Sequence, residues 1–155
     1  MITNNVTRFL DSKKIPYSIF ELPVEKLGAE ETAEALGVPL ELIYKSIVLL
    51  REKPGKPILA VVPGTNNVNL KAVAAAVGEK KVRLSTLVEA EKLTGLQVGG
   101  ISPLALINKG FTILLDSSAV QHEHIHVSGG QRGLNVRLGV NALVEVTRAM
   151  VAKLT

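Results

Sequence analysis

Apolar positions along this chain follow two periods. Val6, Phe9 and Leu10 share one side of a helical wheel, which predicts a helix over 4–13, capped by Thr3 and stopped ahead of Ile15-Pro16. The helical period returns over 30–36, with Gly37 at the C-terminal cap, and over 70–77, between Asn69 and Gly78. A fourth helix starts at Ser85 or Thr86 and ends near Leu93, before Gly95; a fifth starts at Asn141, with Leu143, Val144, Val146 and Met150 as its anchors. Apolar runs of strand length occupy 17–22, 45–51, 58–62, 80–84, 111–115, 122–127 and 134–138. A short helical turn after Pro39 delivers Lys45 to its strand, and 52–57 is a turn rich in Pro and Gly. The turn at 99–103 is followed by one more short strand.

Strands outnumber helices and do not alternate with them regularly. That argues against a doubly wound parallel sheet and for an α+β fold, with a mixed, strongly twisted sheet flanked by helices. No linker, repeat or low-complexity run interrupts the 155 residues, so 1–155 reads as a single domain. With 46% hydrophobic and 21% charged residues, one packed core is easily supplied. Aromatic residues are only 3%, with no Trp, so the core is aliphatic and a base-stacking platform for single-stranded nucleic acid is disfavoured.

Cysteine is absent, which rules out disulfides, thiolate metal sites and a cysteine nucleophile. No run is long and apolar enough to span a bilayer, and the first five residues lack the order of a signal peptide. A soluble, cytoplasmic protein is expected. The net charge of +4 fits a polyanionic partner and equally an ordinary solvated basic surface.

Two segments suit a site better than a core. Tyr44-Lys45-Ser46 sets a cation at the start of an apolar strand. There the amine either snorkels to solvent or holds an anion or a polar carbonyl in a cleft. Gly99-Gly100-Ile101-Ser102-Pro103 is a turn whose backbone N–H groups a ligand can approach, or simply a connection between helix and strand. Pro63-Gly64-Thr65 precedes a helix whose first amides could cradle a phosphate or hydroxyl, although Asn69 reads as a plain cap. Ser128-Gly129-Gly130-Gln131-Arg132-Gly133 is a hairpin turn first, and second a pocket wall with Arg132 towards phosphate. Lys71, Lys80, Lys81 and Arg83 form either a solvated basic face or a surface for nucleic-acid backbone.

His122, His124 and His126 are spaced to share one face of a strand and could bind zinc or nickel. Glu123 points to the other face, and exposed polar residues at a strand end are the commoner arrangement. No Gly-x-Ser-x-Gly elbow and no Walker-type loop is present.

The order and spacing of Tyr44-Lys45-Ser46, Pro63-Gly64-Thr65, Gly99 to Pro103 and Val127-Ser128-Gly129-Gly130 resemble the YbaK/aminoacyl-tRNA editing domain family over nearly the whole chain. The family also occurs as an insertion in, or a free-standing relative of, prolyl-tRNA synthetase. The resemblance implies a partly closed, barrel-like mixed sheet and a deacylase that acts in trans on mischarged tRNA without metal or cofactor. It gives Lys45 the place of the editing-pocket lysine and Ser46 that of a common threonine. Gly99, Gly100, Ile101, Ser102 and Pro103 match the Gly-x-x-x-Pro loop, whose amides would contact the aminoacyl carbonyl or terminal ribose as an oxyanion hole does. It also makes Pro63, Gly64, Thr65, Ser128 and Gly129 substrate-binding candidates, and Lys71, Lys80, Lys81, Arg83 and Arg132 contacts for the tRNA acceptor end. Prolyl-tRNA synthetase is a possible partner.

Within the family the pattern is nearest to cysteinyl-tRNA(Pro) deacylases. Three departures leave another amino acid such as alanine open: Leu22 stands where those members have a pocket tyrosine, no acidic residue occurs near Asn141-Ala142, and the three histidines replace apolar or hydroxylic residues. A non-catalytic module binding charged tRNA or a synthetase is the alternative of another class.

Overall fold

The computed structural model describes residues 3–23 and 28–155. Residues 1–2, part of the N-terminal stretch read for a targeting signal, lie outside that range. The helices are α1 (Asn5–Ser12), α2 (Ala29–Leu36), α3 (Leu70–Val77), α4 (Leu87–Thr94) and α5 (Val140–Thr147). The strands are β1 (Tyr17–Glu21), β2 (Tyr44–Arg51), β3 (Ile58–Pro63), β4 (Val82–Leu84), β5 (Thr112–Asp116), β6 (His124–Ser128), β7 (Leu134–Gly139) and β8 (Met150–Ala152).

These strands form two sheets, not one closed barrel. One is antiparallel, in the order β1-β7-β6; the other is mixed, in the order β4-β2-β3-β5-β8. A parallel bridge, Ile43 to His126, ties them just before β2. Every residue of β3 is buried, as expected for a central strand covered on both faces. One face of the mixed sheet (Val48, Leu59, Val61, Ile113, Leu115) meets the apolar face of the small sheet (Ile125, Val127, Val136, Leu138) in the main core. Its other face (Leu49, Ile58, Ala60, Val62, Leu114) packs with Val73 and Ala74 of α3. No described helix is long and apolar enough to cross a membrane.

Most helix ends obey local rules. Gly37, Gly78 and Gly95 close α2, α3 and α4 in the left-handed conformation, and Asn69 caps α3 by accepting from the Ala72 N–H. At α4, Thr86 and Glu89 form a reciprocal capping box. The cap of α1 is Asn4, not Thr3: its side chain accepts from Thr7 N–H while Thr7 Oγ1 accepts from Asn4 N–H.

Four expectations need correction. The strand foreseen over 80–84 is confined to β4, because only Val82, Arg83 and Leu84 find partners on β2. The short strand after 99–103 is instead a 3₁₀ turn, Pro103–Ala105, set by proline at its first position. Helix α5 stops at Thr147, where Arg148 turns left-handed (φ 55°). Met150 is therefore no helix anchor: it lies exposed in β8, paired with Leu114 at the sheet edge.

Candidate functional site

Strand β2 is covered unevenly, and this creates the site. β3 pairs with it from Tyr44 to Leu49, whereas β4 covers its other edge only at Leu49–Arg51. Among the described residues no strand pairs with the edge beside Lys45, Ser46 and Ile47, and a cavity of about 350 Å³ lies along it. The small sheet contributes Ser128, Leu134 and Asn135, the residue after β1 contributes Leu22, the start of α2 contributes Ala29 and Thr32, and the loop before the 3₁₀ turn contributes Val98, Gly99 and Ile101. Its size is that of an ordinary small-ligand pocket.

Lys45 and Gly99 therefore line one cavity. Lys45 is half-buried and is the only charged side chain among the described lining residues. Ser46 is more telling. Its Oγ is buried and has no hydrogen-bond partner among the described residues, and the residue lies on the cavity wall. A buried hydroxyl without a partner is costly.

The loop opposite is held at four points. Val98 N–H donates to Glu91 Oε2 (2.8 Å), Val98 O accepts from Arg132 Nε (2.7 Å), Gly99 O accepts from Ser128 Oγ (3.4 Å) and Gly100 N–H donates to Gln97 O (2.8 Å). The Gly100 amide is thus already committed. Gly99, at φ 99°, has an N–H with no acceptor among the described residues.

The remaining candidates fall outside the lining. Gly100 packs against the Gln131 backbone, and Ser102, fully buried, caps the 3₁₀ turn by accepting from Leu104 N–H. Pro103 is the first residue of that turn. Pro63 ends β3, Gly64 donates its N–H to Ile43 O at 2.7 Å, and Thr65 is exposed with its hydroxyl on Asn66. Gly129 packs over Leu134. Arg132 does not point freely at a phosphate, since its guanidinium is pinned to Val98 O as the hairpin between β6 and β7 closes.

On the basic face Lys71, Lys80 and Lys81 are exposed. Arg83 is engaged: its two terminal nitrogens reach Glu89 at 2.9 and 2.8 Å. That guanidinium, with the Thr86 backbone N–H, holds the Glu89 carboxyl down at about 2.

The three histidines do not share one strand face. His122 precedes β6, ending the 3₁₀ turn Ser117–Gln121, and His124 is only its first residue. His126 is 2% exposed and engaged, with Nδ1 2.8 Å from Asn135 Oδ1. Among the described residues no three metal-binding side chains converge.

Sequence reasoning missed Asn135 and Thr32. Asn135 interrupts the apolar alternation Leu134, Val136, Leu138, which marks it as facing away from the main core; Thr32 carried no signal distinct from its helix. Leu22 does line the cavity, whereas Asn141 is exposed on α5.

Known proteins resemble this chain in sequence and in fold. The model of the aminoacyl-tRNA editing domain matches residues 25–146. A relative from Enterococcus faecalis, named Cys-tRNA(Pro)/Cys-tRNA(Cys) deacylase EbsC, is 36% identical over 97% of this chain and 92% of its own length. The proline–tRNA ligase of Limosilactobacillus fermentum is 30% identical over 72% of this chain, which is 18% of that enzyme. Among solved structures, a trans-editing enzyme for prolyl-tRNA synthetase superposes with a TM-score of 0.82 at 27% identity, covering 100% of this chain and 99% of that one. The hypothetical protein APE2540 does so with a TM-score of 0.89 at 25% identity, covering 97% and 99%. By the extent of these matches, the chain belongs to the aminoacyl-tRNA editing domain family.

Proposed function

We propose that this protein clears cysteine from mischarged tRNA(Pro), with Lys45, Ser46 and Gly99 as the working residues of the cavity. Deacylation of aminoacyl-tRNA in trans follows from the family and from the relatives it matches. The cysteine and proline assignments rest on the names of two of those relatives. The observation that carries the residue assignment is that Lys45, Ser46 and Gly99 line one cavity.

The ester is already activated, so catalysis asks chiefly for orientation and for stabilisation of developing negative charge. Lys45 holds the aminoacyl carbonyl or the terminal adenosine, and the Gly99 N–H, without an acceptor among the described residues, faces the oxygen that gains charge. Either water attacks or the cysteinyl sulfur does. In the second case a carbon–sulfur bond forms, the bond from the carbonyl carbon to the ribose oxygen breaks, and the thiol proton ends on that oxygen. The products are a cyclic thioester and free tRNA.

The acceptor end then leaves the cavity towards Lys80 and Lys81, which precede β4 on the next stretch of the β2 edge. Prolyl-tRNA synthetase, the source of the mischarged species, is the fitting partner.

The test is release of amino acid from Cys-tRNA(Pro) and Ala-tRNA(Pro) by the wild-type protein and by Lys45→Ala. Wild type accelerates loss of cysteine more than of alanine, and Lys45→Ala lowers kcat/KM about 10²-fold with folding intact. Binding of charged tRNA without faster loss would reject the enzyme, and faster loss of alanine would reassign its substrate.

A further inference from the structure

The small sheet has two unlike faces. Asn135 on β7 stands opposite Ser128 on β6 and Phe20 on β1. Directly opposed residues share a face of an antiparallel sheet, and His126, two positions from Ser128, shares it as well. Ile19, Val127 and Val136 occupy the opposite face, against the main core.

On the polar face, His126 is clamped. It is 2% exposed, its ring centroid lies 5.6 Å from that of Phe20, and Nδ1 lies 2.8 Å from Asn135 Oδ1. Burial pushes the imidazole pKa down; the Asn135 bond opposes this and Arg137, across the strand pair, adds to it. The ring is thus neutral near pH 7, and with a carbonyl oxygen facing it, Nδ1 carries the proton. The Asn135 Nδ2 group has no acceptor among the described residues, and Asn135 lines the cavity.

The depth of Asn135 indicates what it meets. Pro23, Gly28 and Gly99 are exposed and form the mouth, while Asn135 (5% exposed), Ile43 and Leu134 are buried and form the floor. An aminoacyl-tRNA enters with its amino acid foremost, so the floor receives the amino-acid side chain. Resting on the proposed function, we infer that His126 is a positioning residue: it fixes the Asn135 carboxamide so that Nδ2–H donates to a sulfur or oxygen on the substrate side chain, favouring such a residue over alanine. Alanine leaves that donor unpaired in a buried site, which is how a polar pocket rejects an isostere lacking the matching atom.

The experiment compares kcat/KM on Cys-tRNA(Pro) and Ala-tRNA(Pro) for wild type, Asn135→Leu, His126→Phe and His126→Asn. The cysteine-to-alanine ratio should fall about tenfold in Asn135→Leu and in His126→Phe. It should stay near the wild-type value in His126→Asn, whose amide nitrogen takes the place of Nδ1. In unmodified protein, ¹⁵N NMR should find the His126 proton on Nδ1 at pH 7, a readout independent of any variant's folding. An unchanged ratio in folded His126→Phe, or a proton on Nε2 alone, overturns the inference while leaving the deacylase intact. Wild-type protein that releases neither amino acid overturns both.

Discussion

Gly100 lies so close to Gln131 that a methyl group on its Cα would stand 2.8 Å from the Gln131 Cα and 3.0 Å from the Arg132 nitrogen. At Gly100 the loop that brings Gly99 to the cavity therefore meets the β6–β7 hairpin backbone to backbone, beside the side-chain bonds from Arg132 and Ser128. Neither side can yield by moving a side chain. Gly100→Ala is expected to cost about 1–3 kcal/mol of stability, as overpacking does. It should also lower kcat/KM, because Gly99 is carried on the displaced segment. Denaturant unfolding together with deacylation kinetics checks this; a fully stable and active Gly100→Ala protein would show the brace to be unimportant.

Ser46 separates stability from function. Its buried Oγ has no partner among the described residues, so removing it relieves an unsatisfied polar group. Ser46→Ala should be as stable as wild type or more stable by up to about 1 kcal/mol. The same substitution should reduce kcat/KM, since Ser46 lines the cavity proposed to receive the substrate. Thermal unfolding and deacylation measured on the same preparation test both halves, and loss of stability without loss of activity contradicts the assignment.

Much of the architecture was legible because its signals are local. Gly37, Gly78, Gly95 and Asn69 ended or began helices where their backbone and side-chain chemistry says they should. The meeting of Lys45 with Gly99 was legible through the family pattern. What failed depends on distant chain. Met150 continues the spacing of Leu143 and Val146, but an edge of β5 stood open and the chain turned at Arg148 to pair with it. The histidine spacing suggested one strand face, yet His122 belongs to the preceding turn and His126 is covered from β1 and the start of β2. Asn135 was visible as a polar break in an apolar strand. Only the pairing β1-β7-β6 reveals that its face borders the cavity.

The basic face should answer to salt unevenly. Lys80 and Lys81 are exposed, whereas Arg83 is held by Glu89 in a two-point ion pair. Lys80→Ala and Lys81→Ala should each weaken tRNA binding and reduce the slope of log K against log salt by about one. Glu89→Gln releases Arg83 and should steepen that slope. Binding titrations between about 50 and 200 mM salt resolve the difference. An equal response from all three variants would place the tRNA elsewhere on the surface.

His126 should also set an acid limit on stability. Its folded pKa lies below the usual 6.5, because the buried ring resists a second proton near Arg137. The unfolded chain has no such resistance, so below about pH 6.5 it binds the proton more readily than the native state does. The contribution is complete above that pH and is lost as pH falls towards and through the folded value. Ordinary carboxylates titrate lower, and His122 and His124 are common to both proteins compared. Between pH 7.5 and 5.5, wild type should therefore lose more stability in urea than His126→Asn, whose amide cannot take up a proton. Parallel losses in the two proteins would mean that the folded protein protonates the His126 ring as readily as the unfolded chain does, so that burial does not hold its pKa down.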